Sequence, residues 1–135
     1  QRALSGIYQD DPHIMLGLAT AFFHQGDYAK ARETLNHLIA VNPKFKSQEG
    51  HLLFARTLEE LQENEAALGE YAVLISYFTG LEAKCRYALL LKKQGQTEQA
   101  NELFNNIIKH AKNLPRNYRR AQKQWIDIAS QQVNV

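Results

Sequence analysis

Apolar residues in the stretch 26–43, GDYAKARETLNHLIAVNP, recur at helical spacing. Tyr28, Ala31, Leu35, Leu38 and Ile39 share one face of an α-helix, while Lys30, Arg32, Glu33, Asn36 and His37 fall to its sides and back. Gly26 supplies the turn before this helix, Asp27 a side-chain cap and Pro43 the stop. Ala31 is the small member of a bulky face, so a second helix is expected to pass close to it.

The same punctuation runs along the chain. Residues 1–11 are weakly periodic, with Ala3, Leu4, Ile7 and Tyr8 apolar, and read as the end of a helix that partners the next one. Asp10, Asp11 and Pro12 then start a helix to about Gln25, carrying Met15, Leu18, Ala19, Phe22 and Phe23. A second pair begins near Ser47. Its first helix carries Leu52, Leu53, Phe54, Ala55, Leu58 and Leu61, a turn follows at 62–64, and its second helix carries Ala66, Ala67, Tyr71, Leu74 and Ile75. A third pair starts near Leu81, with Ala83, Tyr87, Ala88, Leu90 and Leu91 inward; it turns at Gly95 and continues with Ala100, Leu103, Phe104, Ile107 and Ile108. Beyond Pro115 a last helix is predicted from 116 to about 132, striped by Tyr118, Ala121, Trp125, Ile128 and Ala129.

Set in register, the pairs repeat. Met15-x-x-Leu18-Ala19-x-x-Phe22 precedes Gly26 and Ala31-x-x-x-Leu35; His51-x-x-Phe54-Ala55-x-x-Leu58 precedes Gln62 and Ala67-x-x-x-Tyr71; Lys84-x-x-Tyr87-Ala88-x-x-Leu91 precedes Gly95 and Ala100-x-x-x-Phe104. The first-helix alanines Ala19, Ala55 and Ala88 are 36 and 33 residues apart. This resembles the tetratricopeptide repeat (TPR), a helical hairpin with a small residue in each helix and a period of about 34 residues. The resemblance covers about residues 12–114. Met15, His51 and Lys84 stand where the family usually has a large aromatic, and Gln62 replaces the turn glycine, so the second repeat departs most. The resemblance implies an all-α, right-handed superhelix of about three hairpins (repeats about 12–45, 48–80 and 81–114) closed by a capping helix at about 116–132, the whole of 1–135 forming a single domain. One hairpin cannot bury its apolar face alone, and stacking several gives a continuous core. The chain is also similar to bacterial TPR proteins that have a hydrophobic segment ahead of the repeats and an Arg-rich, Trp-containing last helix like RNYRRAQKQWIDIA.

Composition agrees with helix. The chain is 44% hydrophobic and 22% charged, ordinary for a soluble globular protein, and seven Gly and three Pro leave little room for long linkers. Cys85 is the one cysteine, which excludes an internal disulfide and any cysteine-based zinc site and suits a reducing, cytoplasmic setting. No apolar run approaches a membrane span and no signal peptide is visible, but the chain begins at Gln1 rather than Met, so tethering through an upstream segment stays open. The net charge of +2 is unevenly spread: residues 1–67 carry six Lys or Arg against nine Asp or Glu, and residues 68–135 carry ten against five.

Chemistry is sparse. There is no phosphate loop, nucleophile elbow or metal-binding helix motif. His13 and His24 share a helix face, but about 16 Å of rise between them is too long for shared coordination. Cys85 has no paired histidine, and Glu59, Glu60, Glu63 and Glu65 read as a solvated helix end. No catalysis, cofactor or metal is expected.

The expected function is protein–protein interaction or scaffolding. In the resembling fold, first helices line a concave groove, which here places His13, Leu16, Thr20 and Phe23 from the first pair, Glu49, Leu52, Arg56 and Glu59 from the second, and Glu82, Cys85, Arg86, Leu89 and Lys92 from the third. Leu16, Phe23, Leu52 and Leu89 are read as apolar at positions the core does not need, suited to a bound peptide or helix. The opposite reading is that the C-terminal helix, or an N-terminal one ahead of Gln1, fills the groove. The family's clamp for a chaperone tail is not matched: Leu16, Thr20, Leu53, Glu82 and Arg86 occupy its positions, and only Arg86 fits. An alternative surface is the run 109–123, where Lys109, Lys112, Arg116, Arg119, Arg120 and Lys123 occur with no acidic residue. It suits an anionic partner: an acidic protein segment, a membrane surface or RNA. RNA is the weakest of these, because the core is expected to claim Tyr118 and Trp125.

Overall fold

The computed structural model describes residues 11–133; the helix end read from Ala3, Leu4, Ile7 and Tyr8 lies outside them. Among the described residues the regular structure is entirely helical: α1 (Pro12–His24), α2 (Tyr28–Val41), α3 (Gln48–Glu60), α4 (Asn64–Leu74), α5 (Glu82–Lys93), α6 (Thr97–Ala111), α7 (Arg116–Ala121) and α8 (Lys123–Val133). The chain divides into two compact units, Gln1–Glu70 and Tyr71–Val135, with the division inside α4.

In the first unit, Asp11 caps α1 by accepting from the N–H groups of His13 and Ile14 at 3.0 and 3.2 Å. Asp27 caps α2 by accepting from Lys30 N–H, and Ser47 caps α3 by accepting from Gly50 N–H. The core joins Met15, Ala19 and Phe23 of α1 to Ala31, Leu35 and Leu38 of α2 and Leu53 of α3. Ala19 and Ala31 have no exposed surface, so the close approach expected at Ala31 is present. Ile39 departs from the predicted face: it is 54% exposed. One residue of an α-helix turns the side chain by about 100°, so once Leu38 points inward Ile39 points to solvent.

Three turns have the same construction. Gly26, Gln62 and Gly95 each have positive φ (80°, 65° and 87°). Each donates its N–H three residues back, to Phe23, Glu59 and Lys92, and the next residue donates five back, to Phe22, Leu58 and Leu91. The second turn, where Gln62 replaces glycine, is therefore no less regular than the others. A left-handed residue with a Cβ is strained by about 1–2 kcal/mol, and the turn's hydrogen bonds hold it there.

In the second unit, α5 and α6 form the third hairpin, with Ala88, Leu91, Ala100, Phe104 and Ile107 buried. Tyr71, at the unit's start, stacks on Tyr87 with ring centroids 6.3 Å apart. The predicted last helix is two helices. Gln122 (φ −98°, ψ 6°) ends α7, and its side-chain oxygen accepts the Leu81 N–H at 2.8 Å. The interruption falls where neither Pro nor Gly would have signalled it. Ala121, expected in the apolar stripe, is accordingly exposed, while Ala129 is fully buried.

Candidate functional site

First helices lie side by side in the first unit. In the first unit, a Cβ built on Gly50 of α3 would lie 3.4 Å from Leu16 Cδ1 of α1, and the Arg56 guanidinium sits 4.6 Å over the Phe23 ring. These pairs are 34 and 33 residues apart in sequence, so α1 and α3 run parallel, one repeat out of step.

That arrangement uses up much of the expected groove. Phe23 is 6% exposed and belongs to the core, and Leu52 is 8% exposed. The reading that the core does not need them is corrected. For Phe23 the physical reason is plain: its ring packs inward between α1 and α2, and Arg56 covers what remains. The Thr20 hydroxyl donates to Leu16 C=O at 2.8 Å. Leu16 and Glu59 are half-buried; His13 and Glu49 are exposed, His13 edge-on to Phe45.

In the second unit the neighbour of α5 is α8. Arg86 lies 5.0 Å over the Trp125 ring and pairs with Glu82 at 2.8 Å. The Cys85 thiol is 3.8 Å from Trp125 C=O, and Lys92 Nζ donates to Gln132 at 2.7 Å. Partner residues rise together from Leu81–Gln122 to Lys92–Gln132, so α8 runs parallel to α5 at an offset of about 40 residues. It takes the place of a following first helix, the short α7 absorbing the extra length. Glu82, Cys85, Arg86 and Lys92 therefore face the chain's own last helix or each other, and Leu89 is half-buried. Burial pushes the Cys85 thiol up from 9.0 to about 11, against the opposing pull of Arg86 and with a small push from Glu82. A thiol held neutral in this way is a packing group.

The basic run is arranged differently. Lys109, Lys112, Arg116, Arg119, Arg120 and Lys123 are all exposed. Lys123 pairs with Asp127 within α8; the other five make no ion pair among the described residues. Between Glu102 and Asp127 the chain has no acidic residue.

Among the described residues there is no group of three or more His, Cys, Asp or Glu placed to hold a metal ion. His13 and His24 stand near opposite ends of α1. None of the helices described is long and apolar enough to cross a membrane.

Comparison with known proteins adds to this geometry. Two family models described as tetratricopeptide repeat match residues 2–50 and 82–113. No curated protein matches the sequence. The fold is similar to that in a crystal structure of MamA, with a TM-score of 0.68 covering 98% of this chain and 84% of that one, at 14% sequence identity. At that identity the likeness speaks for fold alone.

Proposed function

The chain belongs to the tetratricopeptide repeat family, and on that premise we propose that it is a protein-interaction module whose docking surface is the basic run of α6, α7 and the start of α8, engaged by an acidic protein segment. The observation that carries this reading is the six exposed cations at 109–123, five of them without an ion pair among the described residues. A surface on which one sign predominates attracts an opposite partner and steers its approach. We read repeats at about 12–45, 48–80 and 81–114, supported by the three equivalent turns, with α8 closing the array. Its role is binding, without catalysis.

A second reading keeps the groove. It is supported in the first unit by His13 and Glu49, which are exposed, and in the second, taken by itself, by Leu89, which is half-buried. The two readings differ in their response to salt and charge. A labelled peptide of Asp and Glu is expected to bind the protein, to lose most of its affinity in Lys112→Glu with Arg119→Glu, and to weaken steeply as salt rises. Loss of binding on Leu89→Glu, with the charge reversal harmless, would instead favour the groove. A vesicle of anionic lipid or a single-stranded RNA bound more tightly than the peptide would make the partner other than protein.

A further inference from the structure

Charge along the chain falls into two opposed stretches. From Thr57 to Ala83 there are six acidic residues and no Lys or Arg; from Leu103 to Ile126 there are six Lys or Arg and no acidic residue. The acidic stretch is densest at the turn between α3 and α4, where Glu59, Glu60, Glu63 and Glu65 fall within seven residues. Glu60, Glu63 and Glu65 are exposed there, and Glu59 is half-buried. Glu63 pairs with Arg32, whereas Glu60 and Glu65 make no ion pair among the described residues.

The end of α3 is a poor place for carboxylates. A helix leaves its last carbonyls unpaired, and their dipoles favour a cation. Glu59 and Glu60 nevertheless close α3, and its last turn holds no basic residue. Negative charge therefore gathers at a negative helix end, where an incoming cation would be stabilised by both. The basic run has the opposite character: Lys109 and His110 lie in the last turn of α6, and Arg119 and Arg120 in that of α7. Each surface lacks what the other supplies, and the same chain carries both, six charges against six.

We propose that the acidic segment engaged by residues 109–123 is the α3–α4 turn of a second copy of this chain, so that the protein associates with itself through unlike surfaces. The proposal rests on the basic-face reading and names its partner. The contact is heterologous, an acidic turn on one copy meeting a basic run on the next. Exposed ion pairs are individually weak, so a few of them give a Kd of about a millimolar, and salt screens them.

Sedimentation equilibrium of the full chain tests it. At low ionic strength the weight-average mass is expected to rise above 15.5 kDa as the protein approaches about 1 mM, and to return to that value in about 0.5 M salt. Glu60→Lys with Glu65→Lys should stay at 15.5 kDa, and so should Lys112→Glu with Arg119→Glu. The chain carrying all four reversals gains four units of charge and loses four, so its net charge is again +2. It should associate as the unaltered protein does, a rescue that net charge or misfolding does not produce. Self-association is overturned by any of three results: an unaltered protein that stays at 15.5 kDa throughout, association that survives either pair of reversals, or a folded fourfold variant that remains monomeric. If the unaltered protein stays monomeric while a peptide of Asp and Glu still shifts the amide signals of 109–123, the basic face stands and its partner is another protein. If that peptide shifts none of them, the basic face falls as well.

Discussion

Gln122→Ala removes the side chain that accepts the Leu81 N–H at 2.8 Å. Leu81 is 5% exposed, so its N–H loses an acceptor where water has poor access. Leaving a buried donor without a partner costs about 1–3 kcal/mol. The loss falls on the contact that begins the alignment of α8 with α5, so it should appear first as easier undocking of α8. Cys85 reports that event, because its thiol lies under Trp125 C=O and is fully buried. At pH 8 a thiol near 9.0 is about 9% ionised and one near 11 about 0.1%, so docked Cys85 should react with a disulfide reagent about 100-fold more slowly than an ordinary cysteine from ionisation alone. If the whole penalty acts on docking, labelling of Gln122→Ala should be about 5–150-fold faster than in the unaltered protein, and its urea midpoint should fall. The reasoning is refuted if Gln122→Ala labels Cys85 at the unaltered rate and unfolds at the unaltered midpoint, because the Leu81 contact would then hold nothing in place.

Two further outcomes follow from the same geometry. Gln62→Gly should stabilise the protein by about 0.5–1 kcal/mol, since relief of left-handed strain outweighs the added freedom of the unfolded chain; a lower urea midpoint would contradict the turn assignment. The raised Cys85 value makes its contribution to stability complete below about pH 9 and progressively lost as pH rises towards about 11, because the unfolded chain gives up the proton first. Cys85→Ala should therefore lose less stability than the unaltered protein over that interval, and parallel curves from urea unfolding at successive pH values would count against it.

Much of the repeat is legible in the amino-acid sequence. Gly26 and Gly95 mark turns because the left-handed region favours glycine, and Ala19, Ala31, Ala88 and Ala100 mark close approaches because a small residue within a bulky face has few other uses. Gln62 shows where such reading falls short: hydrogen bonds back to Glu59 and Leu58 impose the same turn on a residue with no special preference for it. The contact that Gln122 makes is with a partner 41 residues away, so no local signal foretells it. Repeat spacing places Phe23 and Leu52 in an open groove; it registers which positions face neighbouring first helices, but not how closely those helices approach. The offset of about 40 residues that brings α8 alongside α5 is hidden in the length of α7. The basic run, by contrast, needs only the sequence, since its meaning lies in the absence of acids between Glu102 and Asp127.

The central claim is that the partner is acidic and docks on residues 109–123. It is tested most directly by an amide NMR titration of the unaltered protein with a peptide of Asp and Glu. The account predicts that the shifted signals cluster at 109–123, and that they return towards their free positions as salt is raised. Shifts confined to His13, Leu16, Glu49 and Leu89, or no shifts at all, would contradict it.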